Sequence, residues 1–132
     1  MNCMILRALS FVLILFPAME TVAVTCDNPS TQLQMNQCAA QELVEANEVL
    51  NNVYNEVRNR LSNAQKVKLR KSQLAWIKFR DLDCAFESSA AEEGSSRGLI
   101  MQNCLIRKTK NRISEFKEML HCPEGDLGCP AS

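Results

Sequence analysis

The chain is poor in the side chains that carry chemistry. It has one histidine in 132 residues, and any Ser–His or Cys–His pair would have to use it; that residue, His121, opens a Pro/Gly-rich tail. HExxH and a phosphate-cradling glycine-rich loop do not occur. There is no CxxC, so neither a redox shuttle nor the common zinc spacing is present. Lys plus Arg equals Asp plus Glu at 15 each, and a chain without net charge is not built for nonspecific nucleic-acid binding. Glu92-Glu93 and Asp81/Asp83 are paired carboxylates, but such pairs are common on solvated surfaces and nothing sets them across a substrate. Strand signals, internal repeats and low-complexity tracts are missing as well. These gaps argue against the usual hydrolases, metalloenzymes and nucleic-acid binders. The expectation is a noncatalytic protein with no cofactor and no metal.

What is present begins with an export segment. Met1 to Ala23 reads as a signal peptide, with Arg7 as the positive n-region and Ala8 to Ala18 as the apolar h-region. Thr21-Val22-Ala23 precede a cut at Val24. The apolar run is short of the about 20 residues that cross a bilayer, which disfavours an uncleaved anchor. Lipidation at Cys26 is disfavoured by Thr25 before it and by the odd thiol it would leave. No later segment is apolar enough to span, so an integral membrane protein is not expected. Residues 24–132 fit one domain: a helical part over 24–120 and a cysteine-containing, non-helical tail over 121–132. Arg7 and Glu20 leave together, so the remainder stays neutral. The expected location is periplasmic or secreted.

Cys26, Cys38, Cys84, Cys104, Cys122 and Cys129 remain beyond the signal. An even count in an exported chain of this size reads as a disulfide framework.

Three helices follow from periodicity. Asn28 as N-cap and Pro29 at the first helical position open the first. Its apolar residues Ala39, Leu43, Ala46, Leu50, Val53, Tyr54, Val57 and Leu61 recur in steps of three and four, with a break near Gln37 also compatible. Ser62-Asn63-Ala64-Gln65 has capping-box spacing and starts the second. There Arg70, Lys71, Lys78 and Asp81 share one arc, and Leu69, Ala75, Trp76, Ile77, Phe79, Leu82 and Phe86 fill most of the rest. So wide an apolar surface predicts that the second helix touches both neighbours and forms the centre of the domain. Ser88 to Gly98, SSAAEEGSSRG, is the principal loop. Ser96 caps a third helix with Met101, Leu105, Arg112, Ile113, Phe116 and Leu120 on one side. The expected fold is all-α, a small antiparallel three-helix bundle stapled by disulfides. An up-down-up order puts Cys38, Cys84 and Cys104 at one end with Cys26 just outside it. This favours Cys38–Cys84 with Cys26–Cys104, although spacing leaves the pairing open. Cys122 and Cys129 are expected to close a small loop of their own.

One stretch is unusual. In Leu69 to Cys84, LRKSQLAWIKFRDLDC, the apolar arc also holds Gln73, Trp76, Arg80 and Cys84. Trp76 is read as core in preference to a ligand-stacking ring. Arg80 and Arg112 both fall on apolar arcs, where a guanidinium needs a carboxylate or several carbonyls. Asn51, Tyr54 and Gln73 are candidate members of the same polar network, whose expected role is to fix helix register.

Four stretches together resemble a known family. CDNPSTQLQMNQCAAQE from Cys26, LNNVYNEV from Leu50, LRKSQLAWIKFRDLDCAF from Leu69 and MQNCLIRKTKNRISEF from Met101 resemble the LprI-type lysozyme-inhibitor domain of bacterial envelope proteins. The likeness runs from Cys26 to about Leu120 and includes Asn36, Cys38, Leu50, Asn51, Tyr54, Cys104 and Arg112. It implies a secreted or periplasmic, disulfide-bonded helical domain that inhibits lysozyme by direct binding. Similar proteins usually carry an acid where this chain has Asn47, so Arg80 or Arg112 is expected to turn to Glu45 or Glu48. The tail with Cys122 and Cys129 lies beyond the family core. On this reading the partner is a protein, lysozyme, and the contact loop is Glu92, Glu93, Gly94 and Ser95. The alternative is a noncatalytic module for another envelope protein or a secreted toxin, using the basic runs Arg70, Lys71, Lys78 and Arg107, Lys108, Lys110. Oligomeric state is left open.

Overall fold

The computed structural model describes residues 25–131 apart from Glu92 and Glu124. The export segment read over Met1–Ala23 lies outside the described residues. Three helices account for most of the chain: α1, Gln32–Asn59; α2, Asn63–Glu87; and α3, Arg97–Leu120. A short 3-10 turn, Ser89–Ala91, follows α2, and no strand occurs among the described residues. The fold is the expected all-α bundle.

The start of α1 differs from expectation. Its N-cap is Thr31, which accepts from the Gln34 backbone N–H at 3.2 Å while the Gln34 side chain accepts from Thr31 N–H at 3.2 Å. Asn28 and Pro29 lie in the lead-in. The cause is covalent: Cys26 is bonded to Cys38, with a Cα–Cα distance of 5.5 Å. Continuous helix would hold those residues about 18 Å apart at 1.5 Å per residue, so the chain must turn back before α1 begins. No break occurs near Gln37. The α1–α2 turn is short, and Ser62 with Gln65 forms the second capping box at the expected place. Arg60 donates to the Leu120 carbonyl at 2.8 Å and fastens this turn to the end of α3.

The central helix is α3, not α2. It lies against both other helices, whereas the backbones of α1 and α2 scarcely approach each other. Cys104, Ile106, Thr109, Ile113 and Phe116 are buried along it. Their spread around the helix is wider than one stripe because two neighbours must be met. The α2 arc that faces the bundle is narrow, made of Leu69, Gln73, Trp76, Arg80 and Cys84. Phe79, Leu82 and Phe86 lie on the far side and are exposed. A helical wheel counts them as apolar surface without saying that nothing covers them.

The main apolar cluster sits toward the α1–α2 turn: Leu50, Val53 and Val57 from α1, Leu61 from the turn itself, Ile113 and Phe116 from α3, with Tyr54, Leu69 and Trp76 packed around them. The tail closes this end. Cys122 is bonded to Cys129, Ala131 enters the cluster, and the Gln65 amide donates to the Pro130 carbonyl at 3.2 Å. The remaining pair is Cys84–Cys104, both buried, joining the end of α2 to the start of α3. The favoured pairing of Cys38 with Cys84 and Cys26 with Cys104 is therefore wrong. Each staple closes a short local loop, because a nearer partner on an adjoining element is available in every case.

Non-reducing peptide mapping should recover Cys26–Cys38, Cys84–Cys104 and Cys122–Cys129. Replacing Cys84 and Cys104 together by alanine should lower unfolding free energy by about 3 kcal/mol, the loop-closure entropy of a span of this size, read in urea titrations.

Candidate functional site

The loop between α2 and α3 is built as a run of tight turns. The Ser88 N–H donates to the Cys84 carbonyl at 3.0 Å, and its buried hydroxyl donates to the Ala85 carbonyl at 3.2 Å. Ser89 Oγ donates to the Phe86 carbonyl at 2.7 Å. The Ala91, Gly94 and Arg97 amides then donate three residues back, to Ser88, Ala91 and Gly94, at 3.1, 2.9 and 3.2 Å. These bonds occupy amides that a floppy loop would leave to water. Asn36 Nδ2 reaches the Ser95 carbonyl at 3.5 Å, and the Gln32 side chain donates to Asn36 Oδ1 at 2.9 Å, so α1 braces the loop from the side. Ser96 precedes α3 but its side chain makes no cap.

Glu93, Gly94 and Ser95 are exposed at the tip; Glu92 lies outside the described residues. Beside the loop, at the same end of the bundle, a shallow concavity of about 350 Å³ is lined by Cys26, Cys38, Glu42, Glu45, Leu99 and Asn103. Glu42 is paired with Lys110 at 2.6 Å, while Glu45 accepts from the Gln41 amide at 3.2 Å. No group of His, Cys, Asp and Glu side chains among the described residues gathers to hold a metal.

Behind this end lies the polar core. Arg80, on α2, donates through one guanidinium nitrogen to Asn47 Oδ1 on α1 and to Thr109 Oγ1 on α3, each at 3.2 Å. Its Nε donates to Asp81 at 2.9 Å. Arg112 donates through Nε to Gln73 Oε1 at 3.1 Å, and its other end pairs with Glu115. Trp76 lies between the two guanidiniums, 5.3 Å from that of Arg80 and 5.8 Å from that of Arg112. Tyr54 meets this group through its ring, tilted 60° against Phe116 at 5.9 Å. Asn51 is exposed and stands apart from the network. Among the described residues neither Glu45 nor Glu48 answers Arg80 or Arg112: Asn47 itself answers Arg80, with its amide oxygen. Thr109, wholly buried, was missed from the sequence because a threonine on a helix gives no signal of its own.

This node is sensitive to the residue at position 47. Asn47→Ala leaves Arg80 short of an acceptor and should cost about 1–3 kcal/mol, whereas Asn47→Asp turns the hydrogen bond into an ion pair and should add about 1 kcal/mol. Urea midpoints at neutral pH, compared at equal m-values, measure both.

Among the described residues no helix is long and apolar enough to cross a membrane, and three disulfides suit an oxidising compartment. A Rhizobium meliloti (strain 1021) protein, described as uncharacterized protein R02472, is 29% identical over 112 residues, covering 75% of this chain and 81% of that protein. No solved structure matches. Residues 26–116 match the family described as lysozyme inhibitor LprI, a span that holds all three helices nearly entire, both staples of the loop end and the whole Arg80–Trp76–Arg112 core, and the chain therefore belongs to the LprI lysozyme inhibitor family.

Proposed function

We propose that this protein is an exported, noncatalytic lysozyme inhibitor that binds the enzyme directly and noncovalently, with Glu93, Gly94 and Ser95 as the leading contact. The observation that carries the reading is the loop tip: exposed, closed at its base by the buried Cys84–Cys104 bond and braced by Asn36. Ordering a flexible loop on binding costs about 0.5–1.5 kcal/mol for each immobilised side chain, and a loop already held in turns avoids much of that cost. Animal lysozymes are basic proteins with an acid-lined cleft. Small Gly94 and Ser95 suit the cleft, and Glu93 suits its basic rim. Glu45, on the neighbouring concavity, extends the acidic surface and would speed encounter with a cation-rich partner.

The alternative, a module for an acidic envelope protein or toxin, draws on the two basic runs. The α3 run supports it less, because Arg107 is bonded to Glu87, Lys108 to Asp83 and Lys110 to Glu42 within the fold.

Protein from Val24 onward, made in an oxidising compartment, should inhibit cell-wall lysis by a c-type lysozyme saturably, and its reduced and alkylated form should not. Glu92→Lys with Glu93→Lys should weaken inhibition at least about tenfold, the scale of losing one interface anchor, with helix content unchanged. Undiminished inhibition by that variant removes the loop from the mechanism.

A further inference from the structure

α1 and α2 share a turn, but beyond it their backbones scarcely approach each other. The space left beside the turn is an open pocket of about 270 Å³, walled by Val57 of α1, Leu61 of the turn, Leu69 of α2, Met119 of α3 and Pro130 of the tail. Val57 and Leu61 are buried members of the main apolar cluster, so the pocket is backed by the core itself. Among the described residues no carboxylate lines it. Apolar walls with a few polar groups are the usual make of a small-molecule site. An apolar cavity of about 150 Å³ already admits a benzene ring, so this one has room for a guest of roughly eleven non-hydrogen atoms.

The walls are pinned. The Cys122–Cys129 bond closes the tail, the Gln65 amide donates to the Pro130 carbonyl at 3.2 Å, and Arg60 donates to the Leu120 carbonyl at 2.8 Å. Room beside a core forfeits dispersion contacts unless something fills it. Met119 and Pro130 lie beyond the 26–116 span that matches the family, so this side of the pocket is not part of the shared family core. The polar groups at the pocket define the rest of the guest. Arg112 lines it, but its guanidinium is committed to Gln73 at 3.1 Å and to Glu115. Gln65 is committed to Pro130 and to the Ser62 N–H. Lys68 and Ser72 differ: both are exposed at the mouth, one turn apart on α2, and among the described residues neither side chain makes a hydrogen bond or ion pair. One turn from Lys68 along α2 stand Ala64, Gln65, Lys71 and Ser72, with no acid among them. An uncommitted ammonium and hydroxyl at the mouth of an apolar pocket match a carboxylate carried on an apolar chain.

We propose that this pocket binds a single-chain aliphatic carboxylate, a fatty acid of medium length, with its chain against Leu61, Leu69 and Met119 and its head at Lys68 and Ser72. The 93–95 tip follows the opposite end of α2, so an occupied pocket leaves the tip free. The binding does not depend on what that tip contacts.

A methyl-resolved NMR titration of protein from Val24 onward with decanoate, kept below its micelle concentration, is the test. Saturable shifts should appear at the Val57, Leu61, Leu69 and Met119 methyls and not at those of Leu82 on the outer face of α2. Ser72→Phe sets a ring across the mouth from an exposed position and should weaken binding at least about tenfold with unchanged circular dichroism. Lys68→Gln keeps the walls and should weaken decanoate about threefold, the scale of an exposed charge pair, while leaving decanol unaffected. Absence of saturable shifts overturns the proposal, as do shifts that Ser72→Phe leaves unchanged or that centre on Leu82. Decanol that binds as tightly as decanoate, with both indifferent to Lys68→Gln, overturns the carboxylate and assigns the pocket to neutral apolar molecules instead. The Ser72→Phe variant leaves the loop tip intact, so its lysozyme inhibition reports separately on the inhibitor reading.

Discussion

Arg80 is where the three helices meet. It rises from α2, and its guanidinium reaches Asn47 on α1 and Thr109 on α3 while stacking near Trp76. α2 needs such an anchor because its bundle-facing arc is mostly polar or only partly buried: Gln73 and Cys84 are its sole buried side chains. Burial of an arginine is costly unless every donor direction is answered. Here an amide, a hydroxyl and the Asp81 carboxylate answer it. Two of those partners stand on α1 and α3, so the register of α2 against both is set by the geometry of one planar group. Apolar packing at the opposite end supplies stability but would tolerate sliding; the guanidinium does not.

The disulfides act differently. Their spans of 12, 20 and 7 residues are all local, and none joins α1 to α2 or α3. They shape the ends of the bundle. Cys26–Cys38 folds the lead-in back along α1, Cys84–Cys104 closes the base of the loop, and Cys122–Cys129 holds the tail so that Ala131 can enter the core. The division follows from what each part lacks. Helix interiors have packing and Arg80 to fix them, whereas loops and termini have few buried contacts and need a covalent constraint.

This division also explains what was legible in the sequence. The helices, the Ser62–Gln65 cap, the polar arc of α2 and the small Cys122–Cys129 loop are local features, and local patterns record them. The pairing of Cys26, Cys38, Cys84 and Cys104 is not local information: periodicity places residues on a face and an end but does not say which of several nearby thiols is closest. The centre of the bundle was misread for a related reason. Phe79, Leu82 and Phe86 count toward an apolar arc whether or not anything lies against them, and Thr109, which is fully buried, counts toward nothing. Asn47 stands where an acid was expected, and the fold answers by adding Thr109 and Asp81 to the arginine's partners, where a more distant glutamate had been anticipated.

The two outward surfaces then differ in how they are held. The loop tip owes its shape to a covalent base and a ladder of turn bonds, and its residues are small and polar, suited to a contact that must form quickly and release water easily. The α2 face is a rigid helix side whose register is already fixed by Arg80 beneath it, and it carries Phe79, Leu82 and Phe86 in an exposed row. The same guanidinium that organises the inside of the bundle thus determines which residues of α2 are left to face outward, and the exposed row is a consequence of the polar arc opposite it.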